Sequence, residues 1–319
     1  MTVRLTNNFI IESDEVYSFT SGAAFFIDSL SSFNFVNYGT VRASGSGAMW
    51  INSFISGGLL HNAGLVEIRG SGVAYGVYSP QWCAAVLNTG TLSVSGDVAY
   101  GLMTYSPGQV FDNQGTLRVS AVFQAVGLSF VNGGQLSNTG LIHVSGGTSA
   151  TGVLIDRFEG RIFENQGQIL AESAGGSVGL AVTGLSYSNL TSPNIINRGV
   201  ITADIAILAF DGGYSPTQAT IENVVNYGTL NGDVVLGLGA DIFTNRGTVN
   251  GDIDMGDGAD TVDLRQGSVF GVVDLGADDD LATGSSGTDI FFGYLGRDTI
   301  SGEGGDDLIY GEQGNDTLS

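Results

Sequence analysis

The 319-residue chain contains no lysine. Its ten basic residues are all arginine, set against 32 acidic ones, for a net charge of −22. So little positive charge excludes nucleic-acid binding, which needs a basic face to displace counterions from phosphate. A single cysteine, Cys83, excludes an internal disulfide and any cysteine-built metal framework. No run of 18 apolar residues occurs, so no membrane-spanning segment is expected. The opening MTVRLTNNFIIESDEV lacks the basic start and apolar core of a classical secretory signal. The two histidines, His61 and His143, form no His-Glu-x-x-His pair, which removes zinc-protease chemistry.

Glycine is abundant, at 51 residues, while hydrophobic residues reach 42%, too many for a disordered acidic tail. The charge is uneven. Residues 1–232 carry 14 acidic residues and 7 Arg, whereas residues 233–319 carry 18 acidic residues and 3 Arg. Self-repulsion opposes compaction of that last quarter unless a cation offsets it, so the C-terminal part is expected to fold around metal.

Repeats dominate the chain. An Asn-x-Gly step recurs at Asn37, Asn62, Asn88, Asn113, Asn138, Asn165, Asn197, Asn226 and Asn245, mostly 25 to 27 residues apart. Self-similarity at this period signals a solenoid. Each step leads into a short alternating run, such as GTVRASG at 39–45 and GTLSVSG at 90–96, as in a half-buried strand. Each coil then offers about three short strands with Gly and Asn at the corners, where positive φ is tolerated. The expected fold is all-β: a right-handed parallel β-helix (β-solenoid) whose coils stack and share one core, with the Asn residues in a ladder. Residues 1–36 read as an N-terminal cap and 37–232 as the β-helix. Wider intervals predict loops around Tyr187–Pro193 and Asp211–Thr217.

From Asn226 the repeat tightens. LGLGADIFT at 236–244, MGDGADTVD at 255–263 and LGADDDLAT at 275–283 mark 19- and 20-residue coils across a transitional segment, 233–283. Four consecutive nonamers follow: GSSGTDIFF, GYLGRDTIS, GEGGDDLIY and GEQGNDTLS, over 284–319. They place Gly at positions 1 and 4, Asp at 6 and an apolar residue at 8. This pattern resembles the calcium-binding nonapeptide repeat of RTX (hemolysin-type) proteins. The resemblance implies a C-terminal β-roll in which two nonamers make one 18-residue coil and calcium sits between stacked turns. Calcium takes six or more hard oxygen ligands. The Asp carboxylates and the carbonyls of the Gly-rich turns would supply them, while Phe291, Ile300, Ile309 and Leu318 point inward. Turn starts separated by 18 to 20 residues put Asp241, Asp260, Asp280, Asp298 and Asp316 in one column, with Asp289 and Asp307 in a second. The accompanying glycines are Gly284, Gly287, Gly293, Gly296, Gly302, Gly304, Gly305, Gly311 and Gly314. Leu236, Met255 and Leu275 replace Gly at position 1 of the upstream copies, and Asp278 replaces it at position 4.

Other constellations are incomplete. GGSVG at 175–179 matches a nucleophile elbow at Ser177, but no His follows it. Tyr75, Tyr78, Tyr100 and Tyr105 recur in neighbouring coils, as an aromatic ladder or sugar platform. The expectation is a secreted, extracellular bacterial β-solenoid that binds several calcium ions and has a structural or adhesive role toward glycan or cell surfaces. The alternative is a carbohydrate-active β-helix enzyme of lyase or epimerase type, or a carbohydrate-binding part of one. The resemblance also implies export by a type I secretion system, whose signal lies beyond the repeats. The sequence stops in phase with its last nonamer.

Overall fold

The computed structural model describes residues 3–5, 8–20, 23–27, 33–53, 58–79, 85–105, 109–131, 134–156, 163–183, 194–210 and 221–319. Cys83 and the loops expected around Tyr187–Pro193 and Asp211–Thr217 lie outside them. The described residues contain only β-strands, and their pairings are parallel. The chain divides into two compact units, 1–156 with 167–178, and 157–166 with 179–319. Each is a β-solenoid.

In the first unit the strands Phe9–Ile11, Phe33–Asn37, Gly58–Asn62, Ala85–Asn88, Gln109–Asn113 and Gly134–Asn138 form one ladder, each a coil above the last. Their last residues align as Ile11, Asn37, Asn62, Asn88, Asn113 and Asn138. The strand Val16–Phe19 also pairs with Thr40–Gly45, and Ala23–Ile27 with Met49–Ser53, so the segment expected as a cap already follows the coil register.

Alternation of apolar and polar residues dictates the interior. Val41, Val66, Leu92, Leu117, Ile142 and Ile169 stack in one buried column, and Ala43, Ile68, Val94, Val119, Val144 and Ala171 in the next. Each fully buried aliphatic side chain contributes about 1.5–3 kcal/mol. The corner asparagines are as buried, yet polar, and so must find partners. They find one another: Nδ2 of Asn37, Asn62, Asn88 and Asn113 donates to Oδ1 of the next Asn at 2.7 to 2.9 Å. The ladder starts at Asn37 because Ile11 occupies the corner below it, leaving Asn37 Oδ1 buried without a partner.

The second unit repeats the scheme with Asn165, Asn197, Asn226 and Asn245. There the ladder stops. Buried Leu264 takes the corner position, and Asn245 Nδ2 turns to the Ser268 carbonyl. Beyond this point coils need only short strands. Thr261–Asp263, Leu281–Thr283, Thr299–Ser301 and Thr317–Leu318 form one side. Ile253–Asp254, Val273–Asp274, Ile290–Phe292 and Leu308–Tyr310 form the other. The pairings Ile290–Leu308 and Thr299–Thr317 give the 18-residue coil expected of two nonamers. Phe291 and Ile300 are fully buried. Ile309 is half-buried and Leu318 is 46% exposed, although both keep the inward register. They belong to the last coil described.

Candidate metal centre

Stacking the turns aligns their acidic residues. Asp241, Asp260, Asp280, Asp298 and Asp316 stand in one column, and Asp289 and Asp307 in another. Within the first, Oδ1 of each carboxylate accepts the backbone N–H of the Asp one coil earlier. Asp241 N–H donates to Asp260 at 2.7 Å, Asp260 to Asp280 at 2.8 Å, Asp280 to Asp298 at 3.0 Å and Asp298 to Asp316 at 3.1 Å. In the second, Asp289 N–H donates to Asp307 Oδ1 at 2.9 Å.

The other oxygen decides what the column can do. Oδ2 of Asp241, Asp260, Asp280 and Asp298 is buried with no hydrogen-bond partner. These residues are 0 to 3% exposed. A buried, unpaired carboxylate oxygen is costly unless a positive charge or a proton meets it. Nearby arginines are engaged elsewhere, Arg265 with Asp263 and Arg297 with Asp279. The orphaned oxygens therefore fit a cation. Among the described residues no three His, Cys, Asp or Glu side chains form a metal-holding group. An ion between two turns would draw on two carboxylates and take its remaining oxygens from backbone carbonyls.

Burial pushes Asp241 up to about 9, Asp260 to about 7 and Asp280 to about 8, and it raises Asp298 as well. These carboxyls hold a proton more tightly folded than unfolded, where the ordinary value is 3.8. Their contribution to metal-free stability is therefore present below pH 4 and is lost as pH climbs through 7 to 9. In chelator the thermal midpoint of the second unit is expected to fall between pH 5 and pH 8. Asp260→Asn should flatten that slope. A midpoint that rises over this range would contradict the assignment.

The glycines divide into demanded and permissive positions. A Cβ at Gly293 would sit 2.5 Å from Asp298 Oδ2, and one at Gly284 would sit 2.8 Å from Asp289 Oδ2. Gly302 and Gly311 stand in the same relation to Asp307 and Asp316. Position 1 thus leaves a cradle facing the carboxylate. At position 4, Gly296, Gly305 and Gly314 have φ of 153°, 127° and 158°, and an added Cβ would strike a carbonyl of the neighbouring coil. Asp278, which stands at position 4 of its turn, is held at φ 85°, a strained value for a residue with a Cβ. Gly287 and Gly304 have room for a Cβ, so packing does not require glycine there.

The 284 turn differs from the others. Asp289 Oδ2 accepts the Ser285 N–H at 2.6 Å, and Ser285 Oγ accepts the Gly287 N–H at 3.0 Å. That carboxylate closes its own turn, whereas Asp298 Oδ2 stays unpartnered.

Sequence reasoning missed two groups. Glu222, 3% exposed, heads the first column, its N–H donating to Asp241 Oδ1 at 2.7 Å. No Gly-x-x-Gly-x-Asp pattern surrounds it, and its only signal was its 19-residue distance from Asp241. On the outer surface, Asp254, Asp257 and Asp274 line an open groove of about 300 Å³ with Tyr294 and Leu295. Asp274 shares this groove with Tyr294, and burial raises its carboxyl above the ordinary range.

Tyr75 and Tyr100 stack with ring centroids 5.3 Å apart, and Tyr78 lies 5.0 Å from Tyr75 and 6.4 Å from Tyr105. His61 Nε2 is 2.9 Å from Thr89 Oγ1 and His143 Nε2 is 3.3 Å from Glu172, each one coil away. Ser177 is 4% exposed, without the open position an elbow nucleophile needs.

Neither the curated proteins nor the solved structures gave a match to the chain. A family model matches at residues 283–318, where the last two coils of the roll are built. That model is the RTX calcium-binding nonapeptide repeat, present in four copies, so the chain is a β-solenoid that carries RTX calcium-binding repeats.

Proposed function

We propose that the protein is exported, folds its C-terminal roll on calcium outside the cell, and acts there as a structural or adhesive stalk. The observation that carries this reading is the column of buried carboxylates whose Oδ2 atoms have no partner. Asp241, Asp260, Asp280, Asp298 and Asp316 would hold ions along one edge, and Asp289 and Asp307 along the other. The carbonyls of the Gly284, Gly293, Gly302 and Gly311 turns complete the oxygen set. When bound, calcium supplies the positive charge that these buried carboxylates lack. Their Oδ1 atoms meanwhile cap the preceding coil and fix the spacing between turns.

The β-helix units then serve as a rigid scaffold toward a glycan or cell surface, and type I secretion follows from the resemblance of the repeats. Asp298→Ala removes both the Oδ1 cap on Asp280 and a buried carboxylate. It should weaken calcium binding by about tenfold or more, a loss above 1.4 kcal/mol. Asp112→Ala, an acid of the first unit bonded only to Gln114, should leave binding unchanged. Equal calcium titrations for the two variants would overturn the ligand assignment.

A further inference from the structure

Basic residues are scarce, ten arginines in 319 residues, yet three of them meet at one corner of the second unit. In the Asn-x-Gly step the asparagine is buried and the residue after it faces out. At that position four successive coils carry Arg198, Tyr227, Arg246 and, following Leu264, Arg265. All four side chains reach solvent. Stacked coils lie about 4.8 Å apart, so the column is a narrow stripe of three guanidinium groups and one ring. Arg198 and Arg246 both lie over the Tyr227 ring, at 4.3 and 5.6 Å from its centroid, which holds them in place.

Two of the three arginines already bind carboxylate. Arg265 grips both oxygens of Asp263, Nε to Oδ1 at 2.9 Å and Nη2 to Oδ2 at 2.8 Å. Arg198 Nε meets Glu164 Oε1 at 3.3 Å. Arg246 stands between them. Arg265 holds the Asp263 carboxyl below its ordinary range and Arg246 adds to that from a distance. Among the described residues, however, Arg246 forms no ion pair. Its planar fork of donors suits a carboxylate in two-point contact.

The other groups at the corner narrow the class of ligand. An extended peptide docks by pairing with free backbone groups of a strand. Here the N–H groups of Arg198, Tyr227 and Arg246 each donate at 2.7 Å to the asparagine carbonyl of the coil before. Side chains are left to do the binding. Thr229, Thr248 and Ser268 run in register beside the stripe, and they face outward because Leu230, Val249 and Val269 next to them are buried. A row of charge beside a row of hydroxyls matches a polymer that carries carboxylate and hydroxyl groups on every unit.

We infer that this corner binds an acidic polysaccharide of the uronate type, laid along the stacking direction with a carboxylate on Arg246. The inference rests on the glycan partner proposed above and names its class. Repulsion from the acidic columns is screened beyond about 8–10 Å at physiological salt, and bound calcium lowers it further.

Titration calorimetry of the full-length, calcium-loaded chain tests it with a short oligogalacturonate, the same oligomer with its carboxyls methyl-esterified, and poly-glutamate. The wild type should bind the first and not the second. Arg246→Gln should weaken binding by about tenfold or more, the effect of losing one charge-assisted pair. Arg42→Gln, an exposed arginine of the first unit paired with Glu67, should leave binding unchanged. An unaltered calcium titration of Arg246→Gln shows that the variant folds. Undiminished binding in a folded Arg246→Gln overturns the site, and equal binding of poly-glutamate overturns the glycan class. Binding of the esterified oligomer alone overturns the inference and leaves the glycan partner standing. Binding of neither oligomer removes both, whereas the calcium reading of the roll is decided separately by the Asp298→Ala titration.

Discussion

In excess chelator, residues 284–319 should lose amide protection by about a thousandfold or more, equivalent to about 4 kcal/mol of opening free energy. Residues 109–131 should keep theirs. The contrast follows from what each segment buries. The coil 109–131 buries Phe111, Leu117, Val119, Ala125, Val126, Leu128 and Phe130. The 36 residues of the four nonamers bury two large apolar side chains, Phe291 and Ile300. Ordering a residue costs about 1–2 kcal/mol of backbone entropy, and so small a core offsets little of that over four turns. The same residues carry seven carboxylates and one arginine, so charge repulsion adds to the deficit. No formed site exists in the unfolded chain, and binding free energy becomes folding free energy. Restoring calcium to the range of about 10⁻⁴ to 10⁻³ M, where extracellular modules work, should restore protection. Equal protection of 284–319 in chelator and in calcium would make the roll an ordinary turn ladder and end the calcium-gated reading.

Much of this architecture is legible because it is periodic. An Asn-x-Gly step fixes the corner, and alternation over GTLSVSG fixes which side chains enter the core. The nonamers fix an 18-residue coil, so turn starts alone place Asp241, Asp260, Asp280, Asp298 and Asp316 in register. Period, however, says nothing of how much neighbouring surface covers a position. Ile309 and Leu318 have the inward phase of Phe291 and Ile300, yet one is half-buried and the other exposed. Nor does a motif disclose a residue that has the right height in the stack without the right neighbours. Glu222 sits in TIENVV, where nothing local reads as a ligand turn. Only the pairing of the strand that follows it, Asn223–Asn226, with Ile242–Asn245 brings its backbone against Asp241. The distinction between glycines is likewise three-dimensional. Gly287 and Gly296 are equivalent in sequence, but only at Gly296 does a carbonyl of the coil below fill the space of a side chain.

Asn113→Ala should be among the most damaging single substitutions in the first unit, costing about 2–5 kcal/mol in urea unfolding. Asn113 is fully buried at the centre of the ladder. It accepts from Asn88 Nδ2 at 2.8 Å and donates to Asn138 Oδ1 at 2.7 Å and to the Leu141 carbonyl at 3.2 Å. Alanine removes these bonds, so the buried Asn88 amide keeps only the Thr116 carbonyl and the Asn138 oxygen loses the Asn113 donor. Each buried group left unpaired costs about 1–3 kcal/mol. Asn113→Asp should be at least as harmful despite its matching shape, because a carboxylate cannot donate and would face the Asn138 oxygen. Two comparisons isolate the ladder from general disruption. Gln114→Ala, at the adjacent exposed position, should cost almost nothing. Asn37→Ala should cost less than Asn113→Ala, since Asn37 is the first rung and its Oδ1 already lacks a donor. If Asn37 and Asn113 proved equally sensitive, corner packing rather than the chain of amide bonds would be what holds successive coils in register.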